Sequence, residues 1–298
     1  IVLNQKIYSD LIPQLFIGIC TVFFIFPLLW TFSTSLKPPN EYYSNPPNLI
    51  PINPTIYHYH ESFFPQFIDL NYSKKQAFWV EEAAGKANPV TPALVNSLIV
   101  TFGTTILTLI LSIPAAFALS RYSFKGGKDM AFFLLSTRMV PPVVMVIPFF
   151  FILNYVNLVD TKTGLIIMYV MINAPICIWI LKGVFDGIPK EVEYAAMVDG
   201  CSFFQLFFKI IIPLSIGGII TAGLFCVFFT WTEFLFSLIM TRKDAVTLPV
   251  ALSSFKLDRG LLWGMMSSTI VVATLPIISI IYVLQRKIVT GIFTGAEK

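Results

Sequence analysis

Residues 193–213, EYAAMVDGCSFFQLFFKIIIP, interrupt an otherwise apolar chain with a charged, turn-forming segment. Pro189, just upstream, fits a first helical turn, where its missing N–H costs nothing. Glu191 and Glu193 follow where the helix dipole favours negative charge. Val192, Ala195, Ala196 and Asp199 share one face by their i, i+3, i+4 spacing. Gly200 supplies a left-handed stop. Ser202 and Gln205 form an S-x-x-Q capping box that opens a second helix, expected to run through Pro213 into the next apolar stretch. The segment thus reads as a short amphipathic helix, a tight turn and a second helix, all outside a membrane. Two readings stay open: an interfacial loop packed on its own protein, or a rigidly held helix whose alanines allow close approach to a partner's groove.

The chain around it is membrane-like. Its 298 residues are 56% hydrophobic and 12% charged, with mean hydropathy +0.78, whereas a soluble domain carries about 25% charged residues. A spanning helix needs about 20 apolar residues, and six stretches qualify: 11–33, 92–120, 130–153, 164–185, 211–240 and 261–284. They are too long for barrel strands, and in lipid the backbone must satisfy itself as helix. The expectation is an all-α polytopic bundle of six transmembrane helices, a single domain over 1–298. The first apolar run is too long for the core of a signal peptide and is read as a retained helix. Six spans put both termini and the loops 121–129 and 186–209 on one side. A long loop, about 34–91, falls on the other side and is expected to be an ordered, irregular external cap with a short helix near 74–86. Lysines and arginines divide almost equally between the two sides, so charge alone does not orient the bundle.

Several chemistries are excluded. A net charge of +4 without a basic run gives no footprint for nucleic acid. Cys20, Cys177, Cys201 and Cys226 are scattered, with no CxxC pair, and read as small buried hydrophobes. KGGK at 125–128 lacks the spacing of a Walker A loop. His58 and His60, in a Tyr- and Pro-rich loop, read as surface residues rather than metal ligands. The prolines at 27, 114, 141, 142, 148, 175 and 276 kink spans without pointing to one function. Two charges fall inside spans, Arg138 and Glu233, where each costs about 2.5–3.5 kcal/mol at the bilayer centre. Arg138, beside Pro141 and Pro142, reads as structural. Glu233, with Trp231 and Phe234, is either a translocation-path residue or a structural charge, near a helix end or paired with another span.

The opening segment resembles the EAA signature of permease subunits in binding-protein-dependent ABC importers: E-A-A, three residues, G, nine residues, I-x-L-P. Here it reads Tyr194-Ala195-Ala196, then Asp199-Gly200, nine residues, and Ile210 to Pro213. Tyr194 stands where the family has Glu, and Ile212 where it has Leu; Glu193, one residue earlier, is a candidate to supply the charge. EEAAG at 81–85 lacks the downstream spacing. NSLIVTFGTTILTLILSIPAAFALSRYSFKGG (96–127), RMVPPVVMVIPFF (138–150), WTEFLFSLIMT (231–241) and LPVALSSF (248–255) are similar to carbohydrate importers, most closely to the maltose-type second permease. The resemblance implies a multi-pass protein of a bacterial or archaeal cytoplasmic membrane with both termini cytoplasmic. It places an ATPase-coupling loop at about 186–210, carried by Pro189, Glu191, Glu193, Tyr194, Ala195, Ala196, Asp199, Gly200, Ile210 and Pro213. Trp231, Glu233 and Phe234 are candidates for the translocation path. The implied partners are a second, unlike permease, two ATP-binding cassette subunits and an extracytoplasmic solute-binding protein. The implied cargo is a carbohydrate or related polyol. No enzyme activity and no cofactor are expected of this chain, with ATP and Mg held by the partner subunits. The alternatives are an importer for amino acids or phosphonates, or a stand-alone channel, which would need no docking loop.

Overall fold

The structure, a computed structural model, describes residues 2–64, 90–257 and 260–296. In chain order the principal helices are α1 (Val2–Ser35), α2 (Tyr57–Phe63), α3 (Val90–Arg121), α4 (Gly127–Ser136), α5 (Pro142–Tyr155), α6 (Lys162–Asp186), α7 (Lys190–Val198), α8 (Ile216–Trp231), α9 (Leu235–Met240), α10 (Leu248–Ser253) and α11 (Trp263–Ala296). Short helical turns fill Phe203–Leu214 between α7 and α8. The only strands among the described residues form a ribbon of two-residue strands, β1 (Lys256–Leu257) antiparallel to β2 (Gly260–Leu261). The chain divides into two compact units, residues 1–91 with 251–275 and residues 92–250 with 276–298.

In the first unit, α1 carries Pro13 and Pro27 inside it. The Thr21 and Thr31 hydroxyls donate to the carbonyls of Ile17 and Pro27, four residues back, at 2.7 and 2.8 Å, so neither adds a polar group that needs an outside partner. Leu15, Phe16, Val22, Phe23 and Phe24 are exposed on the isolated chain, a surface suited to lipid. The loop beyond is irregular but tied down. Glu41 accepts from the N–H groups of Ile52 and Asn53, both at 3.0 Å, and the Thr55 N–H donates to the Leu36 carbonyl at 2.8 Å. The seven-residue α2 was not expected. It corrects the surface assignment of His58, which is only 5% exposed. His58 Nε2 lies 2.8 Å from the Tyr42 hydroxyl and 3.0 Å from the Lys37 carbonyl. Its Nδ1 lies 3.7 Å from Glu61. A helix of two turns buries one face, here His58, Glu61 and Ser62, and leaves His60 outside. Burial, with Glu61 nearby, raises the Tyr42 hydroxyl pKa above its ordinary value. At Gly264 any Cβ would run into the Tyr42 hydroxyl and the His58 ring, so the cluster requires glycine there. The expected helix at 74–86 and the EEAAG sequence at 81–85 lie outside the described residues.

Among the described residues, four helical stretches are long and apolar enough to cross a membrane: Pro13–Ser35, Val90–Arg121, Lys162–Asp186 and Trp263–Leu284. Two more cross only if a bent pair counts as one span. These are Asp129–Met139 with Pro142–Tyr155, bent by 98°, and Phe203–Leu214 with Ile216–Trp231, bent by 72°. The continuous helices expected over 130–153 and 211–240 are therefore broken. At the first break Val140 and Pro141 are extended, with ψ of 125° and 133°, the conformation that a following proline imposes. At the second, a π-helical turn over Phe207–Ile211 leads into Pro213, and the helix resets at Ser215. The expected run of one helix through Pro213 is thus two segments. Pro114, Pro148, Pro175 and Pro276 stay inside their helices.

The second unit is held by close packing of α6 on α8. A Cβ at Gly218 would overlap the Val184 side chain, and Ala222 and Cys226 continue the same narrow contact, both fully buried. Small residues let helix backbones approach where lipid gives no hydrophobic drive to pair. Phe117, Leu181, Phe185, Ala196, Leu206 and Ile211 form one buried cluster with Cys177 and Cys226. Val100, Val146, Leu165, Met168, Tyr169, Phe236 and Met240 form another. Cys177 and Cys226 are buried as expected, while Cys20 and Cys201 are half-buried.

Candidate coupling and transport sites

Helix α7 begins one residue later than the sequence suggests. Pro189 is its N-cap residue, with extended ψ of 136°. Glu193 and Ala196 face inward. The Glu193 carboxylate meets Arg121 Nε at the last residue of α3, and Arg121 Nη2 donates to the Ile188 carbonyl at 2.9 Å. Asp186, at the end of α6, accepts from the Ser120 hydroxyl and from Lys182 Nζ, both at 2.6 Å. Two spans therefore grip the approach to α7 from beneath. The expected common face is divided: Ala196 is buried, Val192 half-buried, and Ala195 and Asp199 exposed. Glu191 is exposed, and so are Tyr194, Met197 and Val198, the last at 86%. Glu193 is spoken for inside the chain rather than presented outward.

The stop after α7 follows the expected chemistry. Gly200 has φ of +81°, with open space around a would-be Cβ, so its requirement is backbone conformation alone. Cys201 N–H donates to the Ala196 carbonyl at 3.0 Å and Gly200 N–H to that of Met197 at 3.1 Å, the paired bonds of a Schellman motif. Ser202 and Gln205 then exchange capping-box bonds, Gln205 N–H to Ser202 Oγ at 3.4 Å and Ser202 N–H to Gln205 Oε1 at 2.9 Å. Ile210 is half-buried in the π-helical turn, and Pro213 is exposed.

The second candidate site lies at the break between α8 and α9. Glu233 sits in that break and accepts from the N–H groups of Phe236 and Ser237, at 2.9 and 3.2 Å. The Tyr169 hydroxyl on α6 donates to Glu233 Oε2 at 2.6 Å. The acid caps one half-helix and ties it to a second span, so the pairing role left open by the sequence is present. Glu233 also lines a cavity of about 540 Å³, together with Arg138, Phe149, Tyr169, Asn173 and Phe229. Trp231 is buried and Phe234 exposed, and neither lines that cavity. Arg138 Nη1 donates to the Ile172 carbonyl at 3.1 Å, and its guanidinium lies 5.1 Å from the centre of the Phe229 ring. Sequence reasoning missed Tyr169 and Asn173. Their four-residue spacing inside an apolar run puts two polar groups on one helix face, a signal that was available.

Long apolar helices, two bent pairs and a cavity with charged groups in its wall define a multi-spanning membrane fold. Residues 108–293, more than half of the chain, match the family described as binding-protein-dependent transport system inner membrane component, and the chain belongs to that family. It is similar to the sulfoquinovosyl glycerol transport system permease protein SmoH of Agrobacterium fabrum, 30% identical over 92% of this chain and 89% of that one. It is also similar to the trehalose transport system permease protein SugB of Mycobacterium tuberculosis, 32% identical over 92% of each chain. The diacetylchitobiose uptake system permease protein DasC of Streptomyces coelicolor is 30% identical over 99% of this chain and 100% of that one. Among solved structures, a chain of a bacterial ABC transporter involved in import of the acidic polysaccharide alginate shares the fold. Its TM-score is 0.73 at 20% identity, covering 95% of this chain and 97% of that one. The protein is accordingly an inner-membrane permease subunit of an ABC importer. It is not an enzyme: it works with a solute-binding protein, a second permease and ATPase subunits that hold ATP and Mg.

Proposed function

We propose that this chain is one of two unlike permeases in an importer for carbohydrates or related polyols, with loop 186–210 as its grip on an ATPase subunit. In this reading the chain has six spans, two of them bent, and both termini are cytoplasmic. The observation that carries the coupling role is the two-sidedness of α7. Its inner face is bonded to α3 through Arg121, while Tyr194, Met197 and Val198 are left open outward. A helix fixed on one side and bare on the other transmits a push. Closure of the ATPase pair would displace α7, and Arg121 and Asp186 would pass that movement to α3 and α6. The breaks at 137–141 and 232–234 then offer places where half-helices swing around the cavity. Glu233 keeps its place on the translocation path as the residue that joins such a half-helix to α6. The carbohydrate assignment is supported by the full-length relatives, whose names specify sulfoquinovosyl glycerol, trehalose and diacetylchitobiose.

Cys201, directly after the Gly200 turn, reports on the coupling role. A membrane-impermeant maleimide is expected to label it in inside-out vesicles and not in intact cells, and bound ATPase is expected to slow that labelling. Labelling from outside, or labelling indifferent to the ATPase, would remove the coupling assignment.

A further inference from the structure

We propose that the cavity beside Arg138 is a binding site for an anionic saccharide, a sugar bearing a carboxylate or sulfonate, with Arg138 receiving the negative charge. The proposal deepens the transport reading above and depends on it. The cavity, about 540 Å³, falls within the range of small-ligand sites. Two charged side chains line it, and they differ in how well they are served. Glu233 is fully engaged by the Tyr169 hydroxyl and by two backbone N–H groups. Arg138 is not. A guanidinium carries five N–H donors, and here Nη1 reaches the Ile172 carbonyl. Among the described residues no carboxylate lies within ion-pair distance of it. The Phe229 ring flanks the guanidinium at 5.1 Å, a contact that leaves the in-plane donors available.

A cation in a span with no carboxylate at ion-pair distance is costly, even with Glu233 elsewhere in the same wall. A neutral hydroxyl can accept from it but cannot neutralise it. A carboxylate or sulfonate does both, through two parallel bonds. The rest of the wall suits the remainder of a sugar. Phe149 and Phe229 offer flat apolar surface for the C–H face of a pyranose ring. Asn173, whose Nδ2 donates to Thr230 Oγ1 at 3.1 Å, adds a polar residue to the wall.

The test uses the complete importer, without its solute-binding protein, in phosphatidylcholine nanodiscs. Digalacturonate and the neutral disaccharide galactobiose are titrated separately, with binding read by saturation-transfer NMR. The expected result is that digalacturonate binds at least about tenfold more tightly. Arg138→Gln should bring the two sugars to within about twofold, with assembly checked by size-exclusion chromatography. Arg138→Lys, which keeps charge but loses the fork, should retain an intermediate preference. It decides the matter if the Gln variant fails to assemble. Equal affinities in the wild type, no binding of either sugar, or a preference unchanged in both variants would overturn the assignment. Adding phosphatidylglycerol should leave the preference intact; its loss would give the site to a lipid phosphate and overturn the proposal as well. Stimulation of ATP hydrolysis by the binding protein, measured in the same nanodiscs, separates the two claims. If it persists without any sugar preference, only the cavity assignment fails. If it is missing, the importer reading fails.

Discussion

Arg121 and Glu193 illustrate how an ion pair within the chain takes up a charge that the sequence offered to a partner. The sequence put Glu191 and Glu193 at the start of a helix and offered Glu193 as an outward charge. In the structure Pro189 caps α7, and Glu193 faces inward onto Arg121. Removing one member of a buried pair strands the other, at about 3–5 kcal/mol. Glu193→Ala is therefore expected to loosen α7 and to separate ATP hydrolysis from uptake, as measured by the number of cargo molecules moved per ATP. Exchange of the two residues, Arg121→Glu with Glu193→Arg, should recover part of the coupling, which neither single change does. Glu233 was legible as an intramembrane acid, but its partner Tyr169 was hidden, because a tyrosine barely disturbs an apolar run. Glu233→Ala leaves that hydroxyl and two N–H groups unpaired, at about 1–3 kcal/mol for each such group. It should lower the thermal stability of the assembled complex, whereas Glu233→Gln, which keeps an acceptor, should affect uptake more than assembly. Asp160, itself at φ of +58°, accepts from the N–H groups of Arg242, Lys243, Asp244 and Ala245 at 2.9–3.2 Å. Burial pushes its carboxyl pKa up, but those four donors outweigh it and hold the value below the ordinary one. A depressed folded value means that the clasp contributes stability above the ordinary carboxylate range, about pH 4, and loses it only as pH falls through the lowered value. Proteolysis of loop 241–247 is expected to stay slow at pH 5 and to accelerate below about pH 4; Asp160→Asn should be cut faster at neutral pH too.

At the scale of elements, the turn after α7 was read correctly because its signals are local: Gly200 for the left-handed stop, then Ser202 and Gln205 for the cap. Gly200→Val places a β-branched residue at φ of +81°, with a strain of at least about 1–2 kcal/mol. It should weaken retention of the ATPase on an affinity column while leaving the spans inserted. The bends were not read. Hydropathy adds apolar residues over a window and is blind to a change of direction within it, so 130–153 and 211–240 looked continuous. Pro141 and Pro142 did announce one break. The other depends on a π-helical turn and a reset at Ser215, which no composition marks. Helix α2 escaped for a related reason: with seven residues and two histidines, it has neither the length nor the periodicity that identifies a helix.

For the whole molecule, composition established the class early, since a chain with 12% charged residues and several apolar runs of helix length has few alternatives to a bundle in lipid. Orientation and partners were not in the charge pattern; the expectation of both rested on the resemblance, because an interface is specified by matching surfaces and this chain holds one half of the match. The inward direction of Glu193 carries a consequence for that match. The outward centre of α7 is then Tyr194, Met197 and Val198, with Lys190, Glu191 and Asp199 around it. Exposed charges at a rim contribute little and are readily screened, whereas an aromatic and aliphatic centre is not. Raising the salt from about 0.1 M to about 1 M shortens the screening distance from about 10 Å to about 3 Å. The joint between this permease and its ATPase should therefore survive a high-salt wash that would strip an interface built on ion pairs.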